Sequence, residues 1–552
     1  MVRDSSTQQG AVRTAPTVAD RGPAVASVWG PLRAPLFRAL WTATVVSNVG
    51  TWMHNVGAAW LMTSLAPSPT MVALVQAATS LPVFLVGLPA GALADVVDRR
   101  RFLLVTQGWM LAAAAALGAL TVAGVATPWG LLVLTFALGL GAAMNAPAWQ
   151  AIVPELVART ELQAAIALNS VGFNIARVIG PALGGLVIAG AGAGAVFLLN
   201  AASFLGVMVV LYRWRRSPRE SQSPAEHVLS AMRAGLRYVR YAPTLRAVLV
   251  RSCIFIFCGS ALWALLPLLA RSELGLDATG YGVLLGSLGA GAIIGAVFLP
   301  RVRLRVAIDP LIAGATVLFA VVTLLLAYAR NFALLCGVMA MGGVAWMALM
   351  STLNATAQTA VPAWVRARAM AVYLLMFQGG MAVGSALWGA VATRAGIPAA
   401  LSYSALGLLV GLLAMVRYRL TAAEDADLTP AMHWNAPTVV SEPHLEDGPV
   451  LVLVEYRIDP QQAPEFVRAM QALRLVRRRD GAIRWGLFSD TADPGRCVET
   501  FVVESWAEHL RQHERFTIAD RAATERVRAF HIGAEAPKVT HLISAYALDD
   551  KD

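Results

Sequence analysis

Apolar runs of about 20 residues recur along this chain, and each is long enough to cross the roughly 30 Å hydrocarbon layer of a bilayer as a helix. About twelve such runs lie between Phe37 and Val416. Hydrophobic residues make up 57% of the chain and charged residues 14%, which is more apolar than a soluble fold needs. We therefore expect an all-α, multi-pass membrane protein. The approximate spans are 37–63, 71–94, 102–124, 129–150, 162–189, 194–212, 246–270, 279–299, 307–328, 331–358, 367–391 and 397–416.

Arginine residues indicate which side of the membrane each loop faces. They concentrate in alternate loops, whereas the intervening loops carry little more than Arg271, Arg330 and Arg394. Loops rich in Lys and Arg stay in the cytoplasm. We expect an inner (plasma) membrane protein with both termini inside, and we attribute the net charge of +11 to this topology and not to nucleic-acid binding. The arginine-rich loops contain 99–101, 159, 213–246, 301–305, 366–368 and 417–419.

A basic connection divides the spans six and six, and a second composition change follows the last span. The segment Asn145–Pro154 of the first half is echoed by Asn354–Pro362 in the second, which a duplicated six-helix unit predicts. We expect a surface helix in the connection, with Val228, Leu229, Met232, Leu236 and Val239 near one face. The predicted organisation is a disordered cytoplasmic tail (1–33), a six-helix bundle (34–212), the connection (213–245), a second bundle (246–418), a linker (419–448) and a soluble domain (449–552).

The last hundred residues have the alternation of a soluble domain. We predict a strand at 450–457, a helix at 461–479, strands at 483–489 and 498–505, one helical stretch at 507–530 and a last strand at 538–546. The order β-α-β-β-α-β is that of a small α+β, ferredoxin-like fold. The segments Arg484–Phe488 and Val503–His509 resemble the antibiotic-biosynthesis-monooxygenase-like modules, which associate through their sheets.

A short charged turn follows the second span, with Gly91, Asp95, Arg99 and Arg100 between two apolar runs. Its layout resembles the loop between the second and third helices of the major facilitator superfamily, a twelve-helix fold of two bundles. That resemblance implies that the Asp95 carboxylate and its Arg neighbours latch one bundle against the other. A generic positive cytoplasmic turn is the alternative interpretation.

The fifth span carries Gly180-Pro181-Ala-Leu-Gly184-Gly185. This run resembles the motif of antiporter branches of the superfamily, and the direction of transport is inferred mainly from that resemblance. A Gly/Pro kink that serves only helix packing is the alternative.

Ionisable side chains inside a membrane are costly and are therefore candidates for function. His54 and Arg177 lie at mid-span, whereas the carboxylates lie near span ends. His54 has an unperturbed pKa of about 6.5 and could couple transport to protons, or it is simply a packed histidine. Arg177 would suit an anionic or polyphenolic substrate, or it serves a backbone carbonyl. Further candidates for a substrate cavity are Asn55, Gln76, Asn145, Asn174, Trp263, Asn354, Gln358 and Gln378.

Four further segments, His433–Pro437, Val454–Tyr456, Arg478–Ala482 and Ser505–His513, resemble the transmembrane-secretion-effector branch of the superfamily, which is related to enterobactin exporters. The resemblance implies a secondary exporter of a siderophore or a hydrophobic, drug-like molecule, coupled to protons. The expected partners are this substrate, protons and the lipid bilayer, with a homodimer formed through the tail. We expect no nucleic acid and no cofactor.

A membrane-tethered enzyme with monooxygenase-like or haem-degrading chemistry in its tail stays open as the alternative function. His509 and His513 share a helical face and could hold a metal or a haem, but no third ligand is evident, and a solvated helix is the other interpretation. The four cysteines show no spacing of a disulfide or zinc framework, so we expect no metal site. The chain carries no Walker sequence for ATP.

Overall fold

The computed structural model describes residues 29–214, 228–420, 427–429, 431 and 443–545, without the side chains of 92, 95, 96 and 228–234. The segment His433–Pro437 and the first 28 residues lie outside this description. Within it the chain forms two helical bundles and a separate four-stranded domain.

The first bundle consists of five long helices, the last of which makes two spans. They are α1 (Pro35–Leu65), α2 (Pro69–Val96), α3 (Arg99–Val122), α4 (Pro128–Leu156) and α5 (Leu162–Arg213). A straight helix of 52 residues would be about 78 Å long, far more than a bilayer accommodates. Gly192, with φ +79° and ψ 168°, breaks α5 at the expected place between two spans, in a conformation that glycine adopts without steric cost.

A short helix, α6 (Val228–Tyr241), precedes the second bundle. That bundle contains α7 (Pro243–Leu268), α8 (Ala278–Arg303), α9 (Ile308–Tyr328), α10 (Phe332–Thr359), α11 (Ala363–Ala395), α12 (Ile397–Gly411) and the short α13 (Leu413–Arg417). Among the described residues, ten helical segments are long and apolar enough to span a membrane. These ten include α5 once, although it makes two spans, and they leave out the more polar α1. With the second span of α5 and with α1, the two bundles hold the expected twelve spans.

Local sequence signals explain where several helices begin. Proline occupies the first turn of α1, α2, α4 and α7, where its missing N–H leaves no intrahelical bond unmade. The side chains of Thr127, Asp277 and Asn331 accept hydrogen bonds from the first turns of α4, α8 and α10. These helices therefore begin at positions that can be read from the sequence.

The loops α2–α3, α4–α5, α8–α9 and α10–α11 lie at one end of the bundles, together with α6 and the four-stranded domain. We call this the basic end, since it carries the arginine-rich loops, and we call the other the opposite end.

Helix α6 forms where the connection was expected to hold a surface helix. Among its described side chains, Tyr238 is 2% exposed and Gly235 is also buried, whereas Leu236, on the predicted apolar face, is 63% exposed. The helix packs on both the start of α11 and the tail domain, through Gly235 on Arg368 and through the Tyr238 ring.

The tail is a ferredoxin-like domain. Its strands are β1 (Val450–Arg457), β2 (Arg484–Ser489), β3 (Arg496–Val503) and β4 (Lys538–Ile543), in the order β2-β3-β1-β4 with antiparallel neighbours. Helix α14 (Ala463–Asp480) follows β1. Alternate residues of β1 are buried, as the two-residue period predicts.

One helical prediction in the tail was wrong. The stretch 507–530 forms two helices, α15 (Trp506–Arg515) and α16 (Ile518–Arg528). Thr517 separates them because its side chain and that of Asp520 form a capping box, which starts a new helix at that point.

One face of the tail sheet is apolar and only partly covered. Leu451 lies between Val502 on β3 and Leu542 on β4, and Leu542 and Phe488 are 47% and 60% exposed. We propose that this domain folds by itself and pairs with a second copy through that face.

Residues 449–552 expressed alone should be soluble, should show mixed helix and strand signals by circular dichroism, and should have the mass of a dimer by light scattering. Leu451→Lys should yield a folded monomer, because it places a charge within the apolar face. Val467→Lys is the matched control, since Val467 is 44% exposed on α14. A wild-type tail that is strictly monomeric would exclude pairing through the sheet.

Candidate functional site

A cavity of about 730 Å³ lies within the first bundle. Its described lining comes from α1, α3, α4 and α5, and none of it from the second bundle. The lining runs from Trp41 to Thr51 on α1, which covers about 15 Å of helix. Pro154 and Leu162 place its mouth at the basic end. The polar and aromatic lining residues are Trp41, Thr44, Ser47, Asn48, Thr51, Gln107, Asn145, Trp149, Gln150, Asn169, Ser170, Phe173, Asn174 and Phe204.

Hydrogen bonds hold two side chains of this wall in place. Asn145 Oδ1 accepts from Thr106 Oγ1 at 3.1 Å and from Gln107 Nε2 at 3.3 Å. The indole of Trp41 donates to the carbonyl of Leu168 at 3.0 Å. The cavity wall is therefore partly pre-organised.

The structure brings two of the predicted cavity residues, Asn145 and Asn174, into this lining. Mid-span His54 lies elsewhere: it is 1% exposed, its ring centre is 4.6 Å from that of Phe197, and neither ring nitrogen has a hydrogen bond. Arg177 also does not line the cavity, and its buried Nε has no partner.

The remaining predicted positions are spread over both bundles. Gln76 donates to Ser80 at 3.2 Å, and Gln358 donates to Asn354 one turn away. Trp263 packs 5.4 Å from Trp346. Asn55 and Gln378 are half-buried. None of these side chains lines the cavity of the first bundle.

The charged turn after α2 is fastened within the first bundle. Arg99 pairs with Glu155 at 2.9 Å, and Arg100 donates to the carbonyls of Leu211 and Tyr212. Asp95 lies in the last turn of α2, and its side chain is outside the described set. A Cβ added to Gly91 would meet no atom within 4 Å, so close helix packing does not account for that glycine.

The Gly-Pro run of α5 lies at close helix contacts. A Cβ at Gly180 would stand 2.5 Å from Trp52 of α1, and one at Gly184 would stand 3.1 Å from Met53. Gly185 faces the other bundle, where an added Cβ would stand 2.5 Å from the Ala278 carbonyl of α8. The run therefore joins α5 to both α1 and α8 through near backbone contact.

Polar and aromatic contacts close the opposite end between the two bundles. Arg271, which follows α7, donates to Thr63 Oγ1 at 3.0 Å and to Ser64, and its guanidinium lies 5.5 Å from the Trp60 ring. Trp60 in turn stacks on Tyr281 of α8 at 5.9 Å. We call the contacts of Arg271 with α1 the Arg271 clamp. In the sequence, Arg271 stands out only as an isolated arginine in a loop poor in charge.

A charge pair within the second bundle was also missed from the sequence. Arg251 of α7 donates to Asp309 of α9, and Asp309 also accepts from the backbone N–H of Leu420, which is fully buried. Asp309 thus ties the second bundle to the start of the linker. In the sequence, the position of Asp309 near a span end was the only signal for these contacts.

The tail domain docks on the basic end through buried charges and rings. Glu508 binds Arg515 of the tail at 2.6 Å and Arg237 of α6 at 2.7 Å. The Arg515 guanidinium lies 4.5 Å from the centre of the Trp364 ring at the start of α11. These basic partners lower the pKa of the Glu508 carboxyl despite its burial, which by itself raises it.

The paired tail histidines lie in a cluster with a third histidine. His509 Nε2 and His513 Nε2 are 3.1 Å apart, and the His541 ring lies 4.7 Å from that of His509. Burial, together with neighbouring cationic groups, lowers the pKa of His509 to about 3 and that of His513 to about 4. In the described part of the chain, no three such side chains have the arrangement that holds a metal ion.

Comparison with known proteins agrees with this architecture. The family described as transmembrane secretion effector matches residues 26–548. The staphyloferrin A transporter of Staphylococcus aureus is 25% identical over 46% of this chain and 64% of its own length. The multidrug efflux pump Tap of Mycolicibacterium fortuitum is 28% identical over 72% of this chain and 98% of its own. The enterobactin exporter EntS of Salmonella typhimurium is 27% identical over 69% and 92%.

Among solved structures, a bacterial homologue of the human lysosomal transporter Spinster, in an inward-facing and unoccupied conformation, shares the fold of the bundles. Its TM-score is 0.55 at 14% sequence identity, over 71% of this chain and 97% of that one. This likeness concerns the fold alone.

The Arg271 clamp should hold the opposite end closed. Arg271→Ala removes one part-buried hydrogen bond, one exposed hydrogen bond and a cation–π contact, together worth about 1 kcal/mol, so the ratio of closed to open molecules should fall about fivefold. Distances between labels on the α3–α4 and α9–α10 loops would measure the ratio of closed to open molecules. Arg330→Ala is the matched control, because Arg330 pairs at 3.0 Å with Glu273 of its own bundle. Equal effects of both variants would contradict the clamp.

Proposed function

We propose, because the chain belongs to the transmembrane secretion effector family of major facilitator transporters, that it exports a siderophore or a hydrophobic, drug-like compound from the cytoplasm. It is a transporter and not an enzyme. The observation that carries the proposal is the cavity of about 730 Å³ with its mouth at the basic end, beneath bundles joined at the opposite end. A cavity of this size suits a drug-sized molecule.

The orientation of the cavity follows from the positive-inside rule. Loops rich in arginine stay in the cytoplasm, so the basic end, the tail domain and both termini are placed inside the cell. The cavity then opens toward the cytoplasm, from which an exporter loads its substrate. Rocking of the bundles, with release of the Arg271 clamp, would expose the cavity to the other side.

Export is proposed to be driven by proton antiport. The support is the antiporter-like run around Pro181, whose glycines join α5 to α1 and to α8, the helix of the other bundle. A movement of α5 would thereby reach both bundles.

Collapse of the proton gradient with an uncoupler should stop efflux of the substrate from cells that contain this protein, within the time in which ATP levels stay constant. The measurement is retention of a fluorescent substrate, with cells lacking the protein as the control. Efflux that persists under the uncoupler and stops on ATP depletion would refute proton coupling.

The turn after α2 is proposed to act as the latch of the cytoplasmic end. In the described state Arg99 and Arg100 bind within the first bundle, so they are positioned beside the last turn of α2, where Asp95 lies. When the cytoplasmic end closes, the Asp95 carboxylate would meet the second bundle.

Asp95→Asn should lower the export rate at least about tenfold at equal membrane abundance, if the latch contributes an interaction of about 1.4 kcal/mol to the closed state. Asp98→Asn is the matched control, because it removes a charge three residues away while asparagine still caps α3 through the bond to the Arg101 N–H. Normal export by Asp95→Asn would exclude the latch.

A further inference from the structure

We infer that the cavity of the first bundle takes an uncharged molecule that carries several hydrogen-bonding groups around an aromatic or otherwise flat apolar part. This inference rests on the proposed export function and names the substrate class of the same cavity.

The described lining of the cavity carries no charged side chain. No described residue of the lining is Asp, Glu, Lys, Arg or His. The polar groups are six carboxamides and four hydroxyls, the latter on Thr44, Ser47, Thr51 and Ser170. A charged group that leaves water needs a counter-charge, and without one the desolvation cost is several kcal/mol. Amides and hydroxyls satisfy neutral donors and acceptors fully, so the wall favours an uncharged guest. The carboxamides belong to Asn48, Gln107, Asn145, Gln150, Asn169 and Asn174.

The amide of Asn145 has a fixed orientation in the cavity wall. Both bonds to Asn145 from the bundle, those from Thr106 and Gln107, go to its oxygen. Its NH₂ group is therefore left to donate to a guest. Gln107 Oε1 is buried and has no partner, which provides an acceptor on the same wall. An unsatisfied buried polar atom is costly, so a guest that pairs with either atom gains affinity.

The apolar part of the wall is largely aromatic. Trp41, Trp149 and Phe173 present aromatic surface, and Trp41 is held in place by its bond to Leu168. Rings of this kind bind flat apolar groups over a large area. Donor and acceptor amides beside aromatic rings fit an aromatic amide or a neutral phenol.

The alternative is an anion held by Arg177, which the sequence suggested. Arg177 lies one turn beyond Asn174 on α5, and its Nε is buried without a partner. It is nevertheless absent from the described lining. The two substrate classes therefore depend on different residues.

Three coumarins with one ring system would separate them: the neutral 3-carboxamide, the 3-carboxylate anion and a trimethylammonioethyl amide cation. Binding to the purified full-length chain would be followed by quenching of tryptophan emission. We expect the neutral probe to bind at least about tenfold more tightly than either ion, as burial of an uncompensated charge requires.

Substitutions in the first and second bundles would locate the site at which the neutral probe binds. Asn145→Leu removes the oriented NH₂ group and should weaken the neutral probe about fivefold to tenfold. Asn48→Leu, on another helix of the lining, should also weaken binding of the neutral probe. This second variant replaces Asn145→Leu if that variant folds poorly. The matched control is Asn354→Leu, because Asn354 is the counterpart in the repeated segment and does not line this cavity. Asn145→Asp should raise affinity for the cation and lower it for the neutral probe.

Preference for the carboxylate, with loss of that preference in Arg177→Ala, would overturn the inference. Equal affinity for the three probes, or no binding of any, would overturn it as well. Efflux of a broad panel of dyes by cells is the separate readout of the proposed function. If efflux is present while the anion is preferred, export stands and the substrate class fails; if no compound is expelled, the proposed function fails.

Discussion

The cost of a charge without a partner in lipid determines where the ionisable groups of this protein lie. The described arginines of the loops lie at helix ends, and Arg251, which is buried, is paired with Asp309. Mid-span Arg177, whose buried Nε has no partner, is an exception. The cavity of the first bundle, which crosses part of the membrane, is lined with uncharged polar groups. The cost of unpaired charge thus limits the charged residues within the spans, and the cavity that these spans form is suited to uncharged molecules.

The two bundles meet where backbones can approach closely. Gly185 of α5 and Gly282 of α8 face each other, and a side chain at either position would clash with the backbone of the partner helix. Such contact is lost entirely when helices move apart by a few ångströms. The closed arrangement is therefore clearly distinct from one in which the two bundles have separated. The Arg271 clamp adds a weak polar contact at the same end, which can break and reform during transport.

The tail domain is attached to the second bundle by a different kind of interaction. Its Glu508 carboxylate is shared between Arg515 and Arg237, and the cationic Arg515 lies on the Trp364 ring. Buried charges of this kind are strongly destabilising when one partner is removed. The tail, α6 and the start of α11 should therefore move as one piece. Helix α6 also connects the two bundles along the chain. A tail that is bound or paired would therefore restrain the rocking of the second bundle.

The sequence by itself determined the elements that depend on local patterns. Apolar length set the twelve spans, Pro and Asn or Thr caps set their starts, and the two-residue alternation set the strands of the tail. Of the seven amides that it offered as cavity candidates, two, Asn145 and Asn174, lie in the described lining, because an amide inside a span can also bond within its own helix, as Gln358 does with Asn354. Tertiary structure alone decided which atoms meet across the chain. The cavity lies within one bundle, His54 packs on Phe197, and Arg271 reaches Thr63 more than two hundred residues away. Such pairings depend on helix rotation and on distances of an ångström, and a one-dimensional pattern carries neither.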